Sequence, residues 1–286
     1  MARTNGIRRR SIQRYGWVPD LPDARDFQFS APDAVMASLP AKVDLRSKCP
    51  PVYDQGQLGS CTANAIAGAY EFDQRQERQP DFMPSRLFIY FNERTMEGTV
   101  DIDAGAMLRD GIKSVAKLGV CTEKSWPYDI AAFTDRPGPA CFREALKHQA
   151  IVYRSVPQQL SMLQACLATG TPFVFGFSVY ESFEGEAAAR TGVVDMPAAK
   201  EKQVGGHAVV AVGYDNAAQR FLMRNSWGRN WGQKGYFTMP YAYLTSPQLA
   251  MDFWAIYAVE ADGQNGARRR TRTTKKAAAR RRVATN

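Results

Sequence analysis

The hydrophobic pattern of this 286-residue chain changes its period near residue 170. Before that point the apolar residues recur at helical spacing. The run from Cys61 to about Gln76 is alanine-rich and strong in helix propensity. Ser85 to Met96 places Leu87, Tyr90, Phe91 and Arg94 at helical intervals, and Met107 to Leu118 does the same with Leu108, Ile112, Val115 and Leu118 before Gly119. Gln158 to Thr169 carries Leu160, Leu163 and Leu167 and stops at Gly170. Beyond it come short runs rich in β-branched and aromatic residues: Phe173 to Val179, His207 to Tyr214, Phe221 to Asn225, Gly235 to Met239 and Phe253 to Val259. Gly, Asn, Asp and Pro separate them, the pattern of an antiparallel sheet or barrel. Helices followed by strands predict an α+β protein, with a helical lobe at about 41–150, a β lobe at about 151–262 and a ligand cleft where the two meet.

The ends differ from this body. Residues 267–286 hold nine Arg or Lys and no acid, and residues 1–18 hold five Arg and no acid, while the whole chain carries +9. The body between is therefore acidic, and the sequence pI of 9.4 belongs to the ends. Residues 1–40 read as a basic N-terminal segment and 263–286 as a disordered basic tail that cannot bury a core. Such a tail reads as a solvated solubility tail, as a nuclear or polyanion-binding tag making electrostatic contact with nucleic acid or another polyanion without base readout, or as an anchor to a membrane surface. The longest apolar runs, Pro172 to Val179 and Ala208 to Val212, are too short to span a bilayer, and Met1 to Arg14 lacks the apolar core of an export signal. Five cysteines, an odd number, point to free thiols in a reducing compartment, cytoplasmic, nuclear or virion-associated.

One thiol is placed differently from the others. Cys61 opens the alanine-rich helix, with Ser60 as its expected N-cap, and the positive end of a helix favours thiolate. Gln55-Gly56-Gln57-Leu58-Gly59-Ser60 precedes it, where Gln55 offers a side-chain donor that could form an oxyanion hole with the Cys61 amide. A thiolate needs a base, and the chain has two histidines. His148 lies in a polar stretch, whereas His207 follows Gly205-Gly206 at the head of an apolar strand. Asn225 comes later, in a position to orient the imidazole.

Together Gln55-Gly-x-x-Gly59-Ser60-Cys61, Gly206-His207-Ala208-Val209 and Asn225-Ser226-Trp227-Gly228-x-x-Trp231-Gly232-x-x-Gly235-Tyr236 resemble the three active-site motifs of the papain-like, cathepsin-type cysteine peptidases, in the family's order. The resemblance runs from about Val43 to Glu260 and implies a papain-like two-lobe fold, a helical lobe carrying Cys61 and an antiparallel β-barrel lobe carrying His207 and Asn225. It implies Cys61 as nucleophile, His207 as general base and acid, Asn225 as orienter and Gln55 as oxyanion donor, with Trp227 covering the His207–Asn225 bond. Gly105, Gly206 and Trp227 fall at substrate-binding positions, the substrate is a polypeptide, and no metal or organic cofactor is required.

The departures from the family pattern carry information too. Leu58 stands where a bridged cysteine is usual, and Asp101-Ile102-Asp103 lacks its partner, which fits a reducing compartment and a bacterial or viral-like branch. Thr62 replaces the usual tryptophan, so packing behind the nucleophile must differ. With two histidines the paired-histidine loop of a carboxydipeptidase is absent, which favours endopeptidase action. Residues 1–40 are short for an inhibitory propeptide, and the twin-proline strip Tyr15 to Asp26 is expected to fold back over or near the groove of a monomeric enzyme as a short pro-segment. Two other readings stand beside this one: a catalytically silent scaffold associated with nucleic acid, and a transpeptidase or amidase on the same residues.

Overall fold

A computed structural model describes residues 15–259, so the basic tail and the first fourteen residues lie outside the described residues. The elements run β1 (Trp17–Val18), α1 (Asp33–Met36), β2 (Lys42–Asp44), α2 (Cys61–Gln76), α3 (Arg86–Glu97), β3 (Ala106–Met107), α4 (Leu108–Leu118) and α5 (Pro139–Ala145). There follow β4 (Ala150–Ser155), α6 (Leu160–Ala168), β5 (Phe173–Tyr180), α7 (Glu186–Thr191), β6 (Gln203–Asp215), β7 (Arg220–Arg224), β8 (Tyr236–Pro240), α8 (Tyr241–Thr245) and β9 (Ala250–Val259). The four expected helices form, and two of them stop at a glycine of positive φ: Gly98 ends α3 in the left-handed conformation at φ 72°, and Gly119 ends α4 at φ 73°.

Seven strands make one sheet in the order β4-β9-β5-β6-β7-β8, with β2 added to the far half of β6, and every pairing in it is antiparallel. The outer strands β4 and β8 do not pair with one another, so hydrogen bonding leaves the sheet open and does not close the expected barrel. The reason lies in β6. Its first part pairs with β5 and its last residues pair with β7 and β2, so one long strand serves both halves of the sheet. Phe173, Phe175 and Phe177 alternate along β5 and bury one face, where Phe175 stacks on Phe253 at 5.3 Å with planes 3° apart.

α2 is buried along almost its whole length, so its small residues are a packing requirement. A methyl group on Gly68 would come within 2.5 Å of the Arg224 guanidinium at the end of β7. This close approach seats the start of α2 against β6 and brings Cys61 beside the strand that carries His207.

Candidate active site

Cys61 is the first residue of α2, as expected, but Ser60 does not cap the helix with its side chain. Its Oγ lies 2.5 Å from the Tyr128 hydroxyl and accepts from Asn64 Nδ2 at 3.1 Å, which ties the turn before Cys61 to the helical lobe. Thr62, in place of the expected tryptophan, donates from Oγ1 to the buried Glu93 at 2.6 Å.

His207 lies on β6 opposite Phe177 and is completely buried. Its Nε2 is 2.9 Å from Asn225 Oδ1. That oxygen also accepts the Ser226 backbone N–H at 2.8 Å, so the Asn225 carboxamide is oriented from its own chain. Trp227 covers the imidazole with ring centres 5.1 Å apart, and Phe177 and Phe183 complete the apolar surround. Excluding water there strengthens the His207–Asn225 bond. The other histidine, His148, packs on Phe82 at 4.5 Å, on the helical side of the molecule.

Gln55 is buried in the loop before α2. Its Oε1 accepts from Ser226 Oγ at 2.6 Å and its Nε2 donates to the Leu58 carbonyl at 3.0 Å. An amide nitrogen has two hydrogens, so this pairing commits one of them. Ser226 thereby couples Gln55 to Asn225, a link between two motifs that the sequence keeps 170 positions apart. Gly59 N–H is held by both carboxylate oxygens of Asp103, at 3.1 and 3.0 Å. Neither Ser226 nor Asp103 is singled out by sequence reasoning, because each acts through a contact made only on folding.

The groove above these residues is filled by the chain's own N-terminal strip. β1 pairs with β3, Trp17 opposite Ala106, in parallel, and the Ala106 N–H donates to the Gly16 carbonyl at 2.7 Å. Tyr15 meets His207 edge-on at 6.2 Å and donates its hydroxyl to Glu184 at 2.6 Å. Trp17 lies over Gly176 and Gly206, and Gly105, at φ 75°, has the Gly16 carbonyl where its own Cβ would be. Two of the three expected substrate-binding residues, Gly105 and Gly206, thus lie directly under this strip, whereas Trp227 packs against His207.

The strip continues between α4 of the helical lobe and β9 of the β lobe. Asp20 accepts from the Arg109 backbone N–H at 3.0 Å and from Trp254 Nε1 at 2.8 Å, and Asp26 pairs with the Arg109 guanidinium at 2.6 Å. Asp252 receives Trp17 Nε1 at 3.0 Å and the Asp20 N–H at 2.9 Å. Burial pushes the Asp20 carboxyl up to about 7, and the nearby Asp252 charge adds to the rise.

Covering the cleft changes the thiol. Burial pushes Cys61 up to about 12, against backbone hydrogen-bonding groups of Ala208, Gly16 and Thr62 that favour its ionised form. The helix N-terminus and these backbone groups favour thiolate, and desolvation under the docked strip opposes them. All five cysteines are unpaired and buried. Among the described residues no helix is long and apolar enough to cross a membrane.

Comparison with known proteins agrees with this geometry. The profile of the papain family cysteine protease matches residues 39–252. The chain is 45% identical over 215 residues to an uncharacterized peptidase C1-like protein of Acanthamoeba polyphaga mimivirus, a match covering 72% of this chain and 69% of that one. It is 29% identical over 244 residues to chymopapain of Carica papaya, covering 76% and 58%. Among solved structures, xylellain, a cysteine protease from Xylella fastidiosa, superposes with a TM-score of 0.81 at 46% identity, covering 88% of this chain and 98% of that one. These relatives fit a bacterial or viral-like branch. With its fold, its motifs and its relatives in agreement, this chain belongs to the papain family and is a cysteine peptidase.

Proposed function

We propose that this peptidase is a latent endopeptidase whose chemistry is carried by Cys61, His207, Asn225 and Gln55, and whose latency is carried by residues 1–40 through the strip Tyr15 to Asp26. The observation that carries the reading is the placement of Cys61 between two features. One is the backbone of Ala208, the residue after His207, whose ring bonds Asn225 at 2.9 Å, and the other is the backbone of Gly16 in the strip.

In the open enzyme, the His207 ring takes the thiol proton at Nδ1, because Nε2 faces Asn225. The thiolate attacks the scissile carbonyl carbon. The carbonyl oxygen, now negative, lies between the Cys61 backbone N–H and the Gln55 carboxamide. His207 returns its proton to the departing amine, and the C–N bond breaks to leave a thioester. Water, deprotonated by the same ring, then attacks the thioester and releases acid and free thiol. Asn225 holds the imidazole plane throughout, and Trp227 keeps water from that bond.

The test is labelling with an epoxide directed at papain-type thiols. The chain is compared with its Cys61→Ala and His207→Ala variants after the strip has been displaced. Labelling at Cys61 that depends on His207 is expected. No labelling in the open chain overturns the catalytic assignment and favours a silent scaffold. Fully active enzyme that retains residues 1–40 on mass spectrometry overturns the removable pro-segment. Products formed with an added amine nucleophile separate hydrolysis from transfer. The five unpaired cysteines support function in a reducing compartment. The nine positive charges of the tail support contact with nucleic acid or another polyanion by a monomeric enzyme, a contact that should weaken steeply with salt.

A further inference from the structure

The docked strip also shows what one wall of the cleft accepts. Trp17 is only 8% exposed, and its indole rests where two side chains are missing. A methyl group on Gly176 would lie 1.9 Å from Trp17 Cε2, and one on Gly206 would lie 2.6 Å from Cε3. Gly176 sits in β5 between the large residues Phe175 and Phe177, and glycine inside a strand marks a close approach by another group. Gly206 immediately precedes His207, so this pocket adjoins the reacting atoms.

The far end of the pocket is an acceptor aimed by the backbone. The β5–β9 register shifts between Val174 and Gly176, which face Trp254 and Met251, so β9 carries an extra residue there. Asp252 lies in that bulge at φ 60°, a left-handed conformation that aspartate tolerates better than most side chains. The bulge brings its carboxylate to 3.0 Å from Trp17 Nε1. Arg109 lies 5.5 Å over the Trp254 ring and its charge reaches Asp252, so the site already has a cation and calls for a neutral donor.

We infer that Gly176, Gly206 and Asp252 form the specificity pocket of this peptidase, that it takes a tryptophan side chain of the polypeptide substrate, and that Asp252 is its specificity-determining residue. The inference rests on the endopeptidase reading above. Phenylalanine would fill the glycine floor but leave the Asp252 acceptor without its N–H donor. A site that bonds such a group rejects the analogue lacking it far more strongly than one that reads shape alone.

The first test needs no catalysis. In the full chain carrying Cys61→Ala, hydrogen exchange at the Ala106 amide reports docking of the strip, because that amide donates to the Gly16 carbonyl. Trp17→Phe is expected to speed this exchange about 10-fold or more, and to have no further effect when Asp252→Ala is already present. Exchange that Trp17→Phe leaves unchanged, or an effect of Trp17→Phe that persists in the Asp252→Ala background, overturns the inference.

The second test uses the full chain opened by Gly16→Ala and peptides that differ only in Trp, Phe or Leu at one scanned position. At one position kcat/KM for Trp is expected to exceed that for Phe by about 10-fold or more, and Asp252→Ala brings the ratio near one. Absence of that preference, or its survival in Asp252→Ala, overturns the inference. Failure to cleave any peptide overturns the endopeptidase reading instead, and the exchange experiment still decides the pocket.

Discussion

A methyl group on Gly16 would lie 1.6 Å from the carbonyl oxygen of Gly59, two residues ahead of Cys61. No backbone atom there can move aside without moving the start of α2, so the strip reaches Cys61 only because residue 16 lacks a side chain.

Gly16→Ala is therefore expected to expel the strip while leaving the catalytic groups intact. Overpacking of this kind costs about 1–3 kcal/mol, which corresponds to roughly a 5- to 150-fold rise in the open population. The rate of epoxide labelling at Cys61 should rise accordingly. Gly105→Ala makes a useful contrast. Its Cβ would meet the Gly16 carbonyl at 2.2 Å, so it also loosens the strip, but it narrows the groove at a φ of 75°. Labelling should accelerate while peptide turnover falls.

The pH dependence of latency has a definite sign. Asp20 ionises at about 7 when docked, raised first by burial and then by Asp252, against an ordinary 3.8. Burial likewise raises Asp252, and the groups around this pair include Arg109, Trp254, Trp17 and the Glu97 carboxyl, which is itself pushed up to about 7 by burial first and in part by Asp20. Docking thus takes up protons. A group whose constant is raised by docking favours the docked state fully below its ordinary value, and that favour is lost as pH rises through about 7. Latency should be tightest near pH 4 and relax toward pH 8. The measurement is the labelling rate of Gly16→Ala divided by that of the parent at each pH. Asp20→Asn should flatten the ratio, and a ratio that grows with pH would contradict the argument.

The two carboxamides of the site should fail in different ways. Asn225→Ala leaves His207 without its oriented partner and should lower kcat/KM about 10- to 100-fold, matching the ~1.5–3 kcal/mol of a hydrogen bond to a charged group. The pH–rate profile should shift with it, because the imidazolium loses its support. Gln55→Ala removes one oxyanion donor and should lower kcat by roughly 10²- to 10³-fold with KM little changed. Ser226→Ala frees the Gln55 carboxamide without deleting it and should give a smaller loss of the same kind. Steady-state kinetics on activated enzyme separates these cases.

Phe175→Ala tests the β core apart from the chemistry. The ring is fully buried and stacked on Phe253, so its loss should cost about 3–5 kcal/mol of stability. Thermal unfolding should show it, with the His207–Asn225 geometry unchanged in enzyme that remains folded.

Cys61, His207, Asn225 and Gln55 stood out in the sequence as candidates because each lies in a short motif whose residue types have few other reasons to occur together. The helices and most strands were legible because their periods are local. β4 could have been found from Val152 and Tyr153, whereas β2 is three residues long and exists only by pairing with β6. The local pattern could not tell an open sheet from a closed barrel, since closure depends on how β6 divides its partners between two neighbours.

The sequence by itself determined the α+β class, the order of the elements and the chemical identities at the site. Covalent neighbours and side-chain periodicity suffice for those. Only the tertiary structure decided that Cys61 is buried beneath the strip, that Ser226 joins Gln55 to Asn225, and that Asp20 and Asp252 meet across 232 positions of chain. Burial and hydrogen bonding between distant segments set ionisation states, and such contacts form only on folding, those of Gly16 and Asp20 only when the strip lies in the cleft.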